Sequence, residues 1–146
     1  MINQTIAEGK AILGIEFGST RIKSVLIDED HHVIASGSHE WENEFRDGIW
    51  TYSEKAIMSG LQLSYADLKA NVMNEYGLKL QKIAALGISA MMHGYLPFNE
   101  KMELLVPFRT WRNTAYHCIH RASLITELVV QYELRHHKRR AEHDYP

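Results

Sequence analysis

The chain has 146 residues, 45% apolar and 23% charged, with a formal net charge of -2, which suits one globular domain and gives no global field toward nucleic acid or an anionic membrane. The apolar runs 11–15 and 83–88 are far too short to span a bilayer, and residues 1–10 lack the apolar core of a signal peptide. One cysteine, Cys118, admits no internal disulfide, so a soluble cytoplasmic domain is expected, with neither nucleic acid nor membrane as partner.

Residues 1–10 read as an N-terminal extension. Ala11 to Phe17 is a short apolar run, the pattern of a buried strand, and it ends in the turn composition Gly18-Ser19-Thr20. Ile22 to Asp28 predicts a second strand, with Val25 and Ile27 alternating against Ser24 and Leu26. Glu29-Asp30-His31-His32 is the polar turn into a third, Val33 to His39, completing a three-stranded antiparallel meander. Residues 40–52, rich in tryptophan and acid, read as an extended loop. Ser53 then caps a helix whose Ile57, Leu61, Tyr65, Leu68, Val72 and Tyr76 share one face, and Gly77 stops it.

Ile83 to Ser89 predicts a fourth strand, apolar on both faces and therefore central in the sheet. Tyr95 to Phe98 and Glu103 to Val106 predict a hairpin across Asn99-Glu100-Lys101. From Ala115 a second helical pattern runs through Leu124, Leu128 and Leu134. This order gives an α/β fold, a mixed sheet covered by helices.

Three segments carry residues suited to chemistry. In the first, a strand delivers Glu16 into a Gly18-Ser19-Thr20 turn, with Lys23 beyond it. Turn amides and hydroxyls donate to phosphate oxygens, and a nearby carboxylate can hold a hydrated magnesium ion. A plain hairpin turn has the same composition. In the second, Met92 and His93 follow an apolar strand, where ligands of α/β sheets bind. There a histidine can hydrogen-bond a sugar hydroxyl, and one satisfied within its own turn fits equally. No second His or Cys stands at metal-ligand spacing beside His93. The third, Trp111-Arg112-Asn113, offers an aromatic face and several donors, and a buried Trp flanked by surface arginines is its plainer meaning. The basic run 135–140, with Glu133, Glu142 and Asp144 around it, reads as a solvated helix end.

In order and spacing these segments resemble the N-terminal domain of the FGGY carbohydrate kinases, and particularly xylulose kinases. That family opens with Asp-x-Gly-Thr-Ser/Thr and a lysine three residues on, matched by Glu16, Gly18, Ser19, Thr20 and Lys23. Its Ile-Ser/Gly-x-x-Met-His-Gly is matched by Ile88, Ser89, Met92, His93 and Gly94, and its Trp-x-Asp by Trp111, Arg112 and Asn113. The similarity covers residues 11–114, leaving 115–146 as a divergent helical tail.

The resemblance implies a ribonuclease H-like (actin-like ATPase) domain, one of two that close over ATP and a sugar or polyol. It assigns the metal to Glu16, phosphate to Gly18, Ser19, Thr20 and Lys23, and the sugar to Met92, His93, Trp111, Arg112 and Asn113. Mg2+ and ATP are the implied cofactors. Glu16 stands where the family has Asp, so its carboxylate is expected to meet the metal differently; Asn113 also stands where the family has Asp, and Ala115 where an arginine often follows, so the sugar pocket is expected to differ.

No catalytic residue is assigned, because the family's proton-accepting aspartate lies downstream of these motifs. A truncated kinase domain, inactive by itself and prone to self-association, is the expectation. A non-catalytic sugar-binding or regulatory module is the alternative.

Overall fold

The computed structural model describes residues 2–113, and its first compact unit ends at Arg112. Its elements in chain order are α1 (Ile2–Glu8), β1 (Ile12–Phe17), β2 (Arg21–Ile27), β3 (Val33–Glu40), β4 (Glu44–Arg46), β5 (Ile49–Thr51), α2 (Glu54–Tyr76) and β6 (Ala85–Ala90). A mixed four-stranded sheet has the order β3-β2-β1-β6. β1 pairs antiparallel with β2, β2 antiparallel with β3, and β6 runs parallel to β1.

One face of this sheet is the core. Leu13 and Ile15 of β1, with Ile22, Ser24 and Leu26 of β2, are buried on the face against which α2 packs over β2 and β3. Val25 and Ile27 lie half-buried on the other face of β2. The expected N-terminal extension contains α1, whose Ile6 is buried in the same core.

The ends of α2 follow from its caps. Ser53 Oγ accepts from the Ala56 amide at 3.1 Å, and Gly77 closes the helix at φ 67° with its amide on the Met73 carbonyl. Leu68 and Val72 of the predicted stripe are fully buried, while Ile57, Leu61, Tyr65 and Tyr76 flank them half-buried. The deepest contact is made by small residues that hydrophobic spacing passes over, Gly60 and Ser64. A Cβ on Gly37 of β3 would collide with backbone atoms of Ser64 and Leu68, and one on Gly60 would lie 2.5 Å from Ile22 Cδ1. Helix and sheet approach here to the limit that glycine permits. The Ser24 and Ser64 hydroxyls meet at 3.0 Å inside this contact, and Ser64 donates onward to the Leu61 carbonyl. Ser24 is therefore the donor to Ser64.

Side chains of α2 also close the outer edge of β3. Asp67 accepts from the Ser38 amide at 2.9 Å, Asn71 donates to the Ser36 carbonyl at 2.8 Å, and the Tyr76 hydroxyl donates to the Ile34 carbonyl at 3.0 Å. An edge strand whose outward groups are occupied offers little template to another chain.

Three expectations need correction. Among the described residues β6 is an edge strand and not central: the sheet order β3-β2-β1-β6 ends on it, all six of its residues are exposed, and α2 lies over β2 and β3. Its double-sided apolar pattern signals cover that α2 does not supply. Residues 40–52 are not a loop, since β4 and β5 pair around Asp47-Gly48. Both turn residues have positive φ, 51° and 80°, as a two-residue hairpin turn requires. The hairpin expected after residue 94 is reduced to isolated bridges, Tyr95 to Arg109 and Phe98 to Leu104. Between them Asn99 Oδ1 accepts the amides of Lys101 and Glu103.

No helix among the described residues is long and apolar enough to cross a membrane. The helical pattern expected from Ala115, Cys118 and the basic run 135–140 lie outside the described residues.

Gly37→Ala should lower stability by about 2–3 kcal/mol, because the clash is with backbone and no rotamer relieves it. A urea midpoint equal to that of the parent would contradict the close packing of α2 on β3. A second outcome concerns acid. Asp28 Oδ1 accepts the amides of His32 at 2.8 Å and Asp30 at 3.0 Å, and the His32 amide chiefly holds its carboxyl below the usual range. A depressed folded pKa contributes stability above about pH 4 that is lost as pH falls through the folded value. Asp28→Ala should therefore flatten the acid limb of the stability profile and leave its slope above neutrality unchanged, as thermal melts across pH will show.

Candidate functional site

The parallel pairing of β1 with β6 sets the site. Their register ends on Phe17 opposite Ala90, so the chain leaves both strands side by side. The Gly18–Thr20 turn and the Met91–Gly94 segment therefore sit at one end of the sheet, beyond the carboxyl ends of two parallel strands.

The turn is held from behind. The Gly18 amide donates to the Arg21 carbonyl at 3.0 Å, and a Cβ on Gly18 would lie 2.8 Å from that oxygen. Glycine is required here by close approach, at a φ that is not positive. Trp41 Nε1 donates to the Gly18 carbonyl at 2.8 Å, the Tyr52 hydroxyl to the Ser19 carbonyl at 2.6 Å, and the Trp41 amide to the Thr20 carbonyl at 3.1 Å. All three carbonyls of the turn are thus occupied. The amides and hydroxyls of Ser19 and Thr20 have no protein partner among the described residues, so the turn presents donors and no free acceptor carbonyl.

An aromatic series supports this arrangement. Trp41 stacks on Tyr52 at 4.1 Å, Phe17 tilts against Trp41 at 6.2 Å, and Phe108 lies against Tyr52 at 5.8 Å. Trp41, Tyr52 and Phe108 are all buried. Asn43 Nδ2 donates weakly to the Tyr52 hydroxyl at 3.4 Å.

Glu16 lies on the sheet face opposite α2, in register with Lys23 of β2 and Ser89 of β6. These three residues border an open depression of about 510 Å³ with Gly14, Val25 and Gly87. A Cβ on Gly87 would touch nothing within 4 Å, and one on Gly14 would meet only the Val25 carbonyl at 3.9 Å. Packing does not demand glycine at these positions, and side chains there would fill the depression. Glu16 and Lys23 have no side-chain partner among the described residues, which leaves a carboxylate and an ammonium available to a ligand.

Met92 and His93 project outward, Met92 with 87% of its surface exposed. Gly94 packs on Phe108, whose ring carbon Cε2 would lie 2.5 Å from a Cβ at that position. Tyr95 and Arg109 exchange both backbone hydrogen bonds, at 3.0 and 3.1 Å, and the Thr110 amide donates to the Trp50 carbonyl at 3.1 Å. Trp111 is therefore placed by a bridge and by the β4–β5 hairpin. It remains 49% exposed. The Arg112 guanidinium lies over the Trp50 ring at 5.2 Å and over the Trp111 ring at 5.5 Å. Asn113 follows, half-buried.

The fold thus gathers the Gly18–Thr20 turn and the Met92-His93 segment at one sheet end, and Phe108 ties the Trp111 segment to both. No hydrogen bond or ring contact joins His93 to Trp111. Residue patterns alone passed over Trp41, Asn43, Trp50 and Tyr52 as parts of a site, although the density of tryptophan within 40–52 was their signal.

The profile of the FGGY family of carbohydrate kinases, N-terminal domain, matches residues 11–141. The chain belongs to this family. A xylulose kinase of Lactococcus lactis subsp. lactis is 23% identical over 110 residues, 70% of this chain and 20% of the relative. Among solved structures, a gluconate kinase of Lactobacillus acidophilus is similar at TM-score 0.59 and 26% identity, covering 84% of this chain and 24% of its own. A ligand-bound xylulose kinase of the same organism has TM-score 0.58 at 26% identity, with the same coverage of both chains. The chain spans about a fifth of the curated relative and a quarter of these two solved ones.

Tyr52→Phe keeps the aromatic stack and removes the hydrogen bond to the Ser19 carbonyl together with the weak one from Asn43. It should cost about 1 kcal/mol of stability and release that carbonyl to compete for the turn's outer surface. The amide signals of Ser19 and Thr20 should shift in NMR while those of α2 stay in place, and an unmoved turn would deny Tyr52 its role.

Proposed function

We propose that this chain supplies the phosphate-binding and sugar-binding half of an ATP-dependent carbohydrate kinase with a ribonuclease H-like, actin-like fold. The observation that supports this is the Gly18–Thr20 turn, whose carbonyls are all occupied while the amides and hydroxyls of Ser19 and Thr20 are not, beside the Met92-His93 strand end. A site for polyphosphate needs converging donors without competing acceptors, and this turn meets that need.

On this reading Gly18, Ser19 and Thr20 bind phosphate oxygens and Lys23 adds a cation on the same sheet face. Glu16 would hold Mg2+ through its hydration shell, the metal supplying charge neutralisation to the phosphates. Met92, His93, Trp111 and Arg112, with Asn113 next in the chain, take the sugar or polyol. The matched relatives include kinases for xylulose and for gluconate, so both neutral and acidic sugars belong to the substrate class considered. No residue of this chain is assigned as acceptor of the sugar hydroxyl's proton. We expect the chain to bind ligands without transferring phosphate, and metal-dependent ATP turnover with a sugar by the purified chain would refute that.

His93→Ala should remove one hydrogen bond to a sugar hydroxyl, weakening sugar binding by about one to two powers of ten and leaving nucleotide affinity unchanged. Glu16→Gln should do the reverse, weakening Mg-ATP binding and sparing the sugar. Calorimetric titrations of each variant with each ligand, beside its melting temperature, test the assignment. An unaltered sugar constant in His93→Ala with a lowered melting temperature would make His93 a structural turn residue.

A further inference from the structure

Arg112 stands apart from other arginines of the described surface. Arg21 holds Glu40 at 2.8 Å and Arg46 holds Glu44 at 2.6 Å, whereas Arg112 is exposed and pairs with no carboxylate among the described residues. Its guanidinium lies instead against two indoles, Trp50 from the β4–β5 hairpin and Trp111 beside it. No acid occurs between Phe108 and Asn113, and the segment carries a second guanidinium in Arg109. Arg109 also lacks an acidic partner among the described residues, with its Nε buried and unbonded.

A guanidinium held over aromatic faces spends none of its N–H groups on a conventional acceptor there, which leaves them for a ligand at its edge. The acceptor that matches this planar fork is a carboxylate, bound through two parallel hydrogen bonds. The half-exposed Trp111 ring offers an apolar platform for the carbon face of the same ligand. We propose that Arg112, clamped on Trp50 and Trp111, binds the carboxylate of an acidic sugar, so that the substrate is an aldonate or uronate and not a neutral ketose or polyol. Trp50 is then a positioning residue, acting through Arg112. This inference rests on the sugar-binding reading above and narrows its substrate class.

The test titrates the purified chain with gluconate, with glucitol (the same carbon chain without the carboxylate) and with inorganic phosphate. The indole N–H signals of Trp50 and Trp111 report binding by NMR. Gluconate should bind at least about tenfold tighter than glucitol, and added salt should reduce that preference. Arg112→Met keeps an aliphatic stem for the indoles and should bring gluconate down to the level of glucitol. Trp50→Leu should lower the gluconate preference while leaving glucitol affinity unchanged. Equal affinities in the parent chain, or a gluconate preference that survives Arg112→Met, would overturn this inference and leave the sugar site standing. Phosphate that shifts the Trp50 and Trp111 indole signals as tightly as gluconate does would show an anion site without sugar recognition, and also overturn it. Binding of neither polyol would remove both readings together.

Discussion

Two aromatic residues, Trp41 and Tyr52, fix three consecutive carbonyls of a short turn, and the candidate site depends on that constraint. A peptide unit cannot turn its carbonyl inward without turning its amide elsewhere, because the two point in opposite directions across a planar bond. Holding the carbonyls of Gly18, Ser19 and Thr20 from behind therefore restricts where the turn's amides can point. Each hydrogen bond contributes only about 1 kcal/mol net, and a ring stack about as much. Three bonds and a stack converging on one turn suffice to keep it in a single arrangement.

The same residues reach outward to the rest of the site. Tyr52 touches Phe108, and Phe108 is the surface on which Gly94 closes. Beyond it the Tyr95–Arg109 bridge and the Thr110–Trp50 hydrogen bond set the position of Trp111 and Arg112. Turn, strand-end histidine and tryptophan segment are thus linked through one aromatic seam. Small residues do the complementary work under the sheet, where Gly37 and Gly60 bring α2 close enough for its polar side chains to cover the edge of β3.

Much of this was legible in the residues. The strands β1 to β3, the helix and both of its caps follow from periodicity and capping chemistry, which are local properties. Three short motifs in the right order marked the family, and the profile match over residues 11–141 agrees. The β4–β5 hairpin was also locally encoded, by Asp47-Gly48, but the tryptophans around it obscured the alternation that marks a strand pair. β6 was misplaced for a different reason: an apolar pattern reports that a strand is to be covered, and cannot report by what.

The sequence by itself determined β1 to β3, the helix α2 with its caps, and the kinship, because those rest on spacing between neighbours. Only the tertiary structure decided which residues serve the turn. Trp41 and Tyr52 lie 23 and 33 positions from the carbonyls they hold, and no periodicity relates a donor to an acceptor across such a distance. The same holds for Trp50 beneath Arg112, where the contact exists because a hairpin and a bridged segment fold against each other. Hydrogen bonds and ring contacts between distant residues are properties of packing, and packing is decided by the whole chain at once.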